Sequence, residues 1–472
     1  MDSVVEEQSI ADQITAALGK ASGFLWGTPL LILLLGGGLF FLIYSRFIPF
    51  AYLRHAIQVL RGKYDDPNDP GQINHFKALM SALAATVGMG NISGVAVAIT
   101  TGGPGALFWM WVSAFVGVAT KFFTCTLAIM FRGKDSLGEL QGGPMYFITE
   151  GLGKKWKPLA VFFSIFALFG PLPIFQTNQL TATLMDVVYI PSGWATAESA
   201  MSWRIGTGIV LMIITGLVIF GGIRRIGDVA GRVVPTMVVI YMIAVLYIVF
   251  SNISLIDDMF ALIIRDAFTA QALGGGILGV MIKGSQRAAF SNEAGIGTAP
   301  MMHGAAKTKE PVREGLVAML GPIIDTLIVC TLTGLAILVT GAYEFKAEMN
   351  NMEGITLTVD AFSRGMPGFG RWVLMTCVLF FAISSMFSYS YYGVKSLSFL
   401  IGAKYGKYYN YFYVASIMWG ATASATAVVA LIDSAYALMA WPTMVAAILL
   451  APKVLSAAKD YFKRMKAAKI TT

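Results

Sequence analysis

Apolar stretches of roughly 20 residues, the length that crosses about 30 Å of hydrocarbon, recur along the whole chain, and two of them are interrupted. The first interruption reads Ala84-Ala85-Thr86-Val87-Gly88-Met89-Gly90-Asn91-Ile92-Ser93-Gly94. The second runs Gly284-Ser285-Gln286-Arg287-Ala288-Ala289-Phe290-Ser291-Asn292-Glu293-Ala294-Gly295-Ile296-Gly297. Amides and carbonyls freed inside a bilayer are costly unless they are buried in protein or line a wet cavity. The chain is therefore restricted to a helical bundle packed around two interior breaks. Such a pair, at matching places in two halves, points to a substrate site in secondary transporters.

Of the 472 residues, 56% are hydrophobic and 13% charged, whereas a soluble domain carries about 25% charged residues. About eleven windows are long and apolar enough to span: Trp26–Tyr44, Phe76–Thr100, Leu107–Ile129, Leu159–Met185, Ile205–Gly222, Val233–Phe250, Ala272–Gly297, Val317–Gly341, Arg371–Leu400, Tyr408–Ala430 and Ala435–Leu455. The net charge of +8 does not imply nucleic acid, because the cations gather in alternate loops. One set holds Arg46, Arg54, Arg61 and Lys63; others hold Arg132, Lys134, Lys154, Lys155 and Lys157, then Arg224, Arg225 and Arg232. Lys307, Lys309 and Arg313 follow, then Lys395, Lys404 and Lys407, and last the tail from Lys453 to Lys469. The other side has Lys20, Arg204, Arg265, Lys346, Arg364 and Arg371. The positive-inside rule then puts the N-terminus outside and the C-terminus in the cytoplasm, which an odd number of spans requires. The basic tail is expected at the anionic cytoplasmic surface.

The acidic start (Asp2, Glu6, Glu7, Asp12) lacks the basic region of a cleaved signal peptide. Cys125, Cys330 and Cys377 all fall in spans and read as buried small hydrophobes rather than a disulfide framework. The spans divide into an extra N-terminal helix (26–44), five spans from the first break (76–250) and five from the second (272–455), followed by the tail (456–472). A unit with an odd number of spans is inverted when duplicated, so an all-α membrane fold with a 5+5 inverted repeat is expected, as one membrane domain. The loop Ala342–Gly370, with Glu344, Glu348 and Glu353, suits an outer surface. The Met145-Tyr146-Phe147-Ile148 core of the inner loop Gly133–Lys157 is expected either on the membrane or folded under the protein as a short helix.

An unwound helix offers free N–H groups at one N-terminus, suited to a carboxylate, and free C=O groups at a C-terminus, suited to Na⁺ or an ammonium group. Gly88, Gly90 and Gly94 permit close approach of a ligand to main chain. Asn91 supplies a donor and an acceptor. A zwitterionic amino acid fits two such breaks, with its carboxylate near Gly90 and Asn91 and its ammonium near Gly284. Gly-xxx-Gly runs also serve as plain packing faces in membrane helices.

The segment Thr86 to Ala96, together with Gly102-Gly103-Pro104-Gly105-Ala106-Leu107-Phe108-Trp109-Met110-Trp111, Gly142-Gly143-Pro144-Met145-Tyr146-Phe147, Gln176-Thr177-Asn178 and Phe290 to Gly297, closely resembles the alanine/glycine:cation symporter family. The resemblance implies a leucine-transporter-like fold and Na⁺-driven uptake of alanine or glycine by alternating access, with D-alanine and serine as further candidates. It implies a substrate site with Gly90 and Asn91 at the carboxylate, Gln176 reaching in, and Gly284 and Ser285 bordering the ammonium group; Thr86, Met89, Lys283 and Tyr389 are further candidate substrate-binding residues of this chain. Na⁺ would sit at carbonyls of Thr86, Val87 or Gly90, a carbonyl near Ala382 and the Ser385 hydroxyl. Without that resemblance, Ser384-Ser385 reads as a hydroxyl pair bonded to its own helix.

Met89 replaces the small or hydroxyl residue expected between the glycines, Tyr389 stands where relatives often carry Trp, and Ala288 where they often carry Gly. Lys283 adds a cation before the second break, and an intramembrane Lys is a functional candidate by default. It could meet a substrate carboxylate, replace or tune the coupling cation in a proton-coupled or cation-independent transporter, or point into a wet vestibule. Arg287 and Glu293 could form a gating pair or a permanent structural one, and Asp325 could carry coupling. Lys121 reads as snorkelling or paired, and His303 as a satisfied interfacial histidine. A channel would need polar stripes along several spans. An enzyme is disfavoured: His-Glu-x-x-His, Gly-x-Ser-x-Gly and P-loop patterns are absent, and the histidines are His55, His75 and His303. No cofactor and no obligate protein partner are expected beyond the lipid bilayer, the amino acid and Na⁺ or H⁺.

Overall fold

The computed structural model describes residues 10–269, 276–343 and 354–470. Asp2, Glu6 and Glu7, the start of the 272–297 window, Lys346 and the loop acids Glu344, Glu348 and Glu353 lie outside the described residues. Among the described residues six helices are long and apolar enough to cross a membrane: Ala106–Met130, Ala200–Ile219, Gly222–Ser251, Pro311–Val339, Gly370–Ile401 and Ala425–Ala467. Two bent pairs satisfy the same test together, Gln13–Leu25 with Thr28–Tyr44 at 48° and His75–Thr86 with Gly90–Gly102 at 52°. The best buried of these six spans is Ala106–Met130, 83% of whose apolar window is enclosed, against 28% for Ala200–Ile219. The core therefore wraps Ala106–Met130, and Ala200–Ile219 lies at the periphery with Ile209, Ile213 and Leu217 exposed, as for a lipid-facing surface.

Four windows fold differently from their expected outlines. Leu159–Met185 divides into Lys157–Phe166 and Ile174–Leu184; Pro171 and Pro173 lie between them and cannot donate to a helical ladder. The break expected between Ala430 and Ala435 sits instead at Ala423, whose backbone is extended, and Ala425–Ile470 is one helix. Asn178 receives the loose end, donating to the carbonyls of Gly420 and Ala423 at 3.1 and 2.9 Å. The second interruption also moves: Gly276–Asn292 is an unbroken helix, and the chain unwinds only after Asn292.

The two ends of the bundle differ in character. At the end carrying Arg132, Lys307 and Lys309, called the basic end below, Ile73 and Ala306 form a parallel bridge. Asp69 accepts from Lys309 Nζ at 2.8 Å, and that ammonium holds its carboxyl below the usual carboxylate range. The hairpin Gly133–Lys134/Leu140–Gln141 follows. Met145, Tyr146, Phe147 and Ile148 are buried beneath the bundle in short helical turns, the second of the two outcomes expected for this segment. The tail docks there too, with Phe462 stacked on Tyr52 (3.6 Å), Tyr461 hydroxyl 2.8 Å from His55 Nε2, and Arg464 on Glu310 at 2.7 and 3.0 Å.

Candidate functional site

The first break is built by Val87, Gly88 and Met89, between helices His75–Thr86 and Gly90–Gly102. Val87 leaves helical geometry at ψ 88°. Gly88 packs directly on Gly370–Ile401: a methyl group there would lie 2.4 Å from Ser385 Oγ. Ser385 Oγ donates to the carbonyl of Ala84 at 2.8 Å and to Phe381 at 3.0 Å. Its hydroxyl thus bridges this helix and the end of the first half-helix, beside carbonyls the break has freed. Thr86 Oγ1, one turn away, is buried without a hydrogen-bond partner, and so is Gln176 Oε1 on Ile174–Leu184. Buried polar atoms ordinarily find partners, so orphaned ones mark a site that something polar completes. Val87, Met89, Gly90 and Ala382 are fully buried around it.

Asn91 ties the two breaks together. Its Oδ1 accepts from Gly88 N at 2.9 Å, and its Nδ2 donates to Asp325 Oδ1 at 2.8 Å and to the Asp325 carbonyl at 3.0 Å. Asp325 Oδ2 in turn accepts from Ser291 at 2.6 Å and Thr326 at 2.8 Å. Both anchor points lie in widened π-type turns, Gly90–Gly94 and Ile323–Cys330, a distortion frequent at functional sites.

The second break runs from Glu293 to Gly297. Glu293 adopts φ 56°, Gly295 φ 85° and Gly297 φ 108°; a left-handed glutamate is uncommon and costs of order 1–3 kcal/mol. Its buried carboxylate accepts from Thr298 and from Tyr436 (3.2 Å), with Tyr389 beside it. The fully buried Lys121 is within electrostatic reach of Glu293 and Asp325, and a methyl group on Gly321 would lie 3.0 Å from its Nζ. Two buried acids and one buried amine thus lie within electrostatic reach of one another in the interior.

Gly284 and Ser285 are not at the break. They lie inside the unbroken helix, where main-chain carbonyls close i→i+4 bonds, so the expectation that they border an ammonium group through freed carbonyls is corrected. Gly284 is there for packing: a methyl group would fall 2.5 Å from the Ala106 carbonyl. Ser285 Oγ is buried without a partner. Arg287 does not face Glu293 either. It pairs with Asp433, which also accepts from Gln286 at 2.7 Å, and it lies on the other side of the break from the basic end.

There a cavity of about 550 Å³ opens past the exposed Thr101 and Lys283 and reaches Arg287, Asp433 and Phe175. Lys283 belongs to this wet wall. Below it, Phe175 and Phe290 meet edge to face at 4.8 Å, and Phe290 packs against Gly90, where a methyl group would lie 3.4 Å from its Cδ1. An aromatic pair therefore separates the cavity from the breaks. Sequence reasoning missed Asp433, because the polar Asp433-Ser434 step read as an inter-span loop, and missed the pairing of Phe175 with Phe290, which no local spacing reveals.

The sequence model of the sodium:alanine symporter family matches residues 11–472. The chain is 41% identical over 450 residues to "Sodium/alanine symporter AgcS" of Methanococcus maripaludis, covering 94% of this chain and 96% of that one. It is 35% identical over 467 residues to "Putative sodium/proton-dependent alanine carrier protein YrbD" of Bacillus subtilis, covering 95% and 93%. Among solved structures, MhsT in complex with L-phenylalanine aligns with a TM-score of 0.58 at 13% identity, over 82% of this chain and 98% of that one. That likeness bears on the fold alone.

Proposed function

The chain belongs to the sodium:alanine symporter family, transporters rather than enzymes, and on that premise we propose that it imports alanine or glycine with Na⁺ by alternating access. The basic end is the cytoplasmic one by the positive-inside rule, so the cavity faces outward and both breaks lie beneath it. The reading includes the leucine-transporter-like inverted repeat, with MhsT as support for the overall architecture.

The observation that carries the cation site is Ser385 resting on the Ala84 carbonyl beside Gly88. Na⁺ favours hard oxygen ligands, and this hydroxyl lies among carbonyls of a broken helix. The Thr86, Val87 and Gly90 carbonyls, that of Ala382 and now that of Ala84 are its companions. The substrate carboxylate belongs at the amides around Gly90 and Asn91. The free Gln176 Oε1 and the carbonyls released near Glu293, rather than near Gly284, suit the ammonium. Met89, Phe290 and Tyr389 fill the surrounding space and leave room for a small side chain only. Phe175–Phe290 and Arg287–Asp433 form the outer gate; Arg287 Nη1 and Asp433 Oδ1 each lack a partner, so the pair is open to exchange with a passing zwitterion. Lys283 draws a carboxylate into the cavity rather than replacing the coupling ion.

Proteoliposomes loaded for counterflow test this reading. Wild-type protein takes up alanine and glycine under an inward Na⁺ gradient, and Ser385→Ala raises the Na⁺ concentration for half-maximal uptake about tenfold, ~1.4 kcal/mol of lost cation binding. Uptake indifferent to every cation gradient would reject symport. A second reading, proton coupling, is favoured by two buried acids, Glu293 and Asp325, within electrostatic reach of Lys121; uptake driven by a pH gradient in the absence of Na⁺ would select it.

A further inference from the structure

Two of the three histidines in the sequence converge on one buried carboxylate at the basic end. His75 opens the half-helix His75–Thr86 that precedes the first break, and His303 closes the half-helix Thr298–His303 that follows the second. Their Nδ1 atoms meet different oxygens of Glu314, in the first turn of Pro311–Ala318. All three residues are at most 1% exposed. A carboxylate taken from water without partners is strongly unfavourable, so Glu314 holds its position through these two rings.

The same place is zipped by main chain. Lys307 N donates to Ile73 O at 2.6 Å and Gln72 N to Ala305 O at 2.8 Å, while Arg132 donates to the carbonyls of Gly304, Ala306 and Pro70. That zipper joins the lead-in of one half-helix to the lead-out of the other. Glu314 adds a bond from both to a third element, the span Pro311–Val339. Beneath lies the apolar cluster Ile73, Ala78, Ile129, Ala305 and Ala306. The opposite end meanwhile has its cavity open.

We propose that Glu314, His75 and His303 form a clasp that keeps the basic end shut while the other end is open, and that breaking it is a step in release on that side. The proposal rests on the alternating-access reading above: releasing cargo there means moving the two inner half-helices away from their support. His303 Nε2 is buried with no hydrogen-bond partner, a penalty in the closed state that the ring sheds when it reaches water. The clasp is therefore strong enough to close the gate and unfinished enough to leave. Other charged or titratable groups within electrostatic reach are Cys125 and Arg132 for Glu314, and Asp65 and Arg313 for His75. None of these four makes a hydrogen bond to the clasp. Glu314, His75 and His303 are positioning residues; they do not touch the cargo site.

The test uses full-length protein with Cys125, Cys330 and Cys377 replaced by Ala, carrying one reporter thiol at a time. Ala78→Cys reports the basic end and Val97→Cys the cavity, each labelled with a membrane-impermeant maleimide from its own side. Glu314→Ala and, separately, His303→Ala are expected to speed Ala78→Cys labelling about tenfold and slow Val97→Cys labelling, the reciprocal signature of a population shift. Glu314→Gln, which keeps the shape and one of the two oxygens, should fall between wild type and Ala. Faster labelling at both sites would mean loosened packing and would overturn the clasp, as would unchanged labelling of monodisperse Glu314→Ala protein. If that variant does not fold, the same two outcomes are read from Glu314→Gln and His303→Ala. Labelling needs no cargo, so wild type lacking cation-driven uptake would sink the functional reading while leaving the clasp to be judged by its own result.

Discussion

The two breaks do the same topological job by opposite means. At Val87–Met89 the chain opens because Gly88 lets a neighbouring helix come close, and two buried polar atoms, Thr86 Oγ1 and Gln176 Oε1, are left without partners. At Glu293–Gly297 the chain opens because a glutamate is held left-handed, and its carboxylate is furnished with Thr298, Tyr436 and a nearby buried lysine. The first break is a vacancy made of backbone. The second is a buried acid enclosed by hydroxyl groups, with a lysine within electrostatic reach. The site proposed above would thus draw bare backbone and orphaned oxygens from one break and an enclosed acid from the other.

Three substitutions probe that contrast. The largest effect is expected from Gly88→Ala, whose methyl group would sit 2.4 Å from Ser385 Oγ. Na⁺-driven alanine uptake should fall at least ~1000-fold, ~4 kcal/mol, in protein that remains monodisperse. Activity near wild type would show that the first break does not depend on the close approach. Next is Glu293→Gln, which keeps the shape and one of the two acceptor oxygens but removes the acid, leaving Asp325 as the one acid of the two near Lys121. Uptake is expected to drop about 30-fold, ~2 kcal/mol, with a lower thermal midpoint; an unchanged rate and cation dependence would reduce the second break to plain geometry. The smallest functional effect belongs to Gly284→Ala. Crowding the Ala106 carbonyl should cost about 1–3 kcal/mol of stability, seen as a lower melting temperature, while the KM for alanine stays within about twofold. A large rise in KM would return Gly284 to the binding site.

The helical membrane character and the first break were legible because hydropathy and a dense glycine motif report them directly; of the eleven windows expected, six to eight spans are found among the described residues. The second break was legible as a segment but not as a position. Gly284 is a contact residue for Ala106 and Trp109, whereas Gly295 and Gly297 turn the chain at positive φ; the letter is the same and the cause differs. Glu293 as the pivot carries no local signal, since its left-handed backbone is upheld by distant residues. Asp433 was hidden for a related reason. A polar step between two apolar windows reads as a loop until Arg287 and Gln286, almost 150 positions earlier, are seen to receive it. The clasp at Glu314 is equally non-local, joining residues 239 and 11 positions away.

The single helix from Ala425 to Ile470 joins Asp433 in the cavity wall to Tyr461 and Arg464 at the far end, where they meet His55 and Glu310. At 1.5 Å per residue those contacts are about 42 Å apart on one rod. Pro442 and Pro452 interrupt its ladder partway and supply the places where such a rod bends. The cavity wall and the contacts at the basic end thus share a beam: on the alternating-access reading proposed above, a tilt that parts Arg287 from Asp433 at one tip would swing the aromatic and arginine contacts at the other, with the two prolines as the places where that swing would be absorbed.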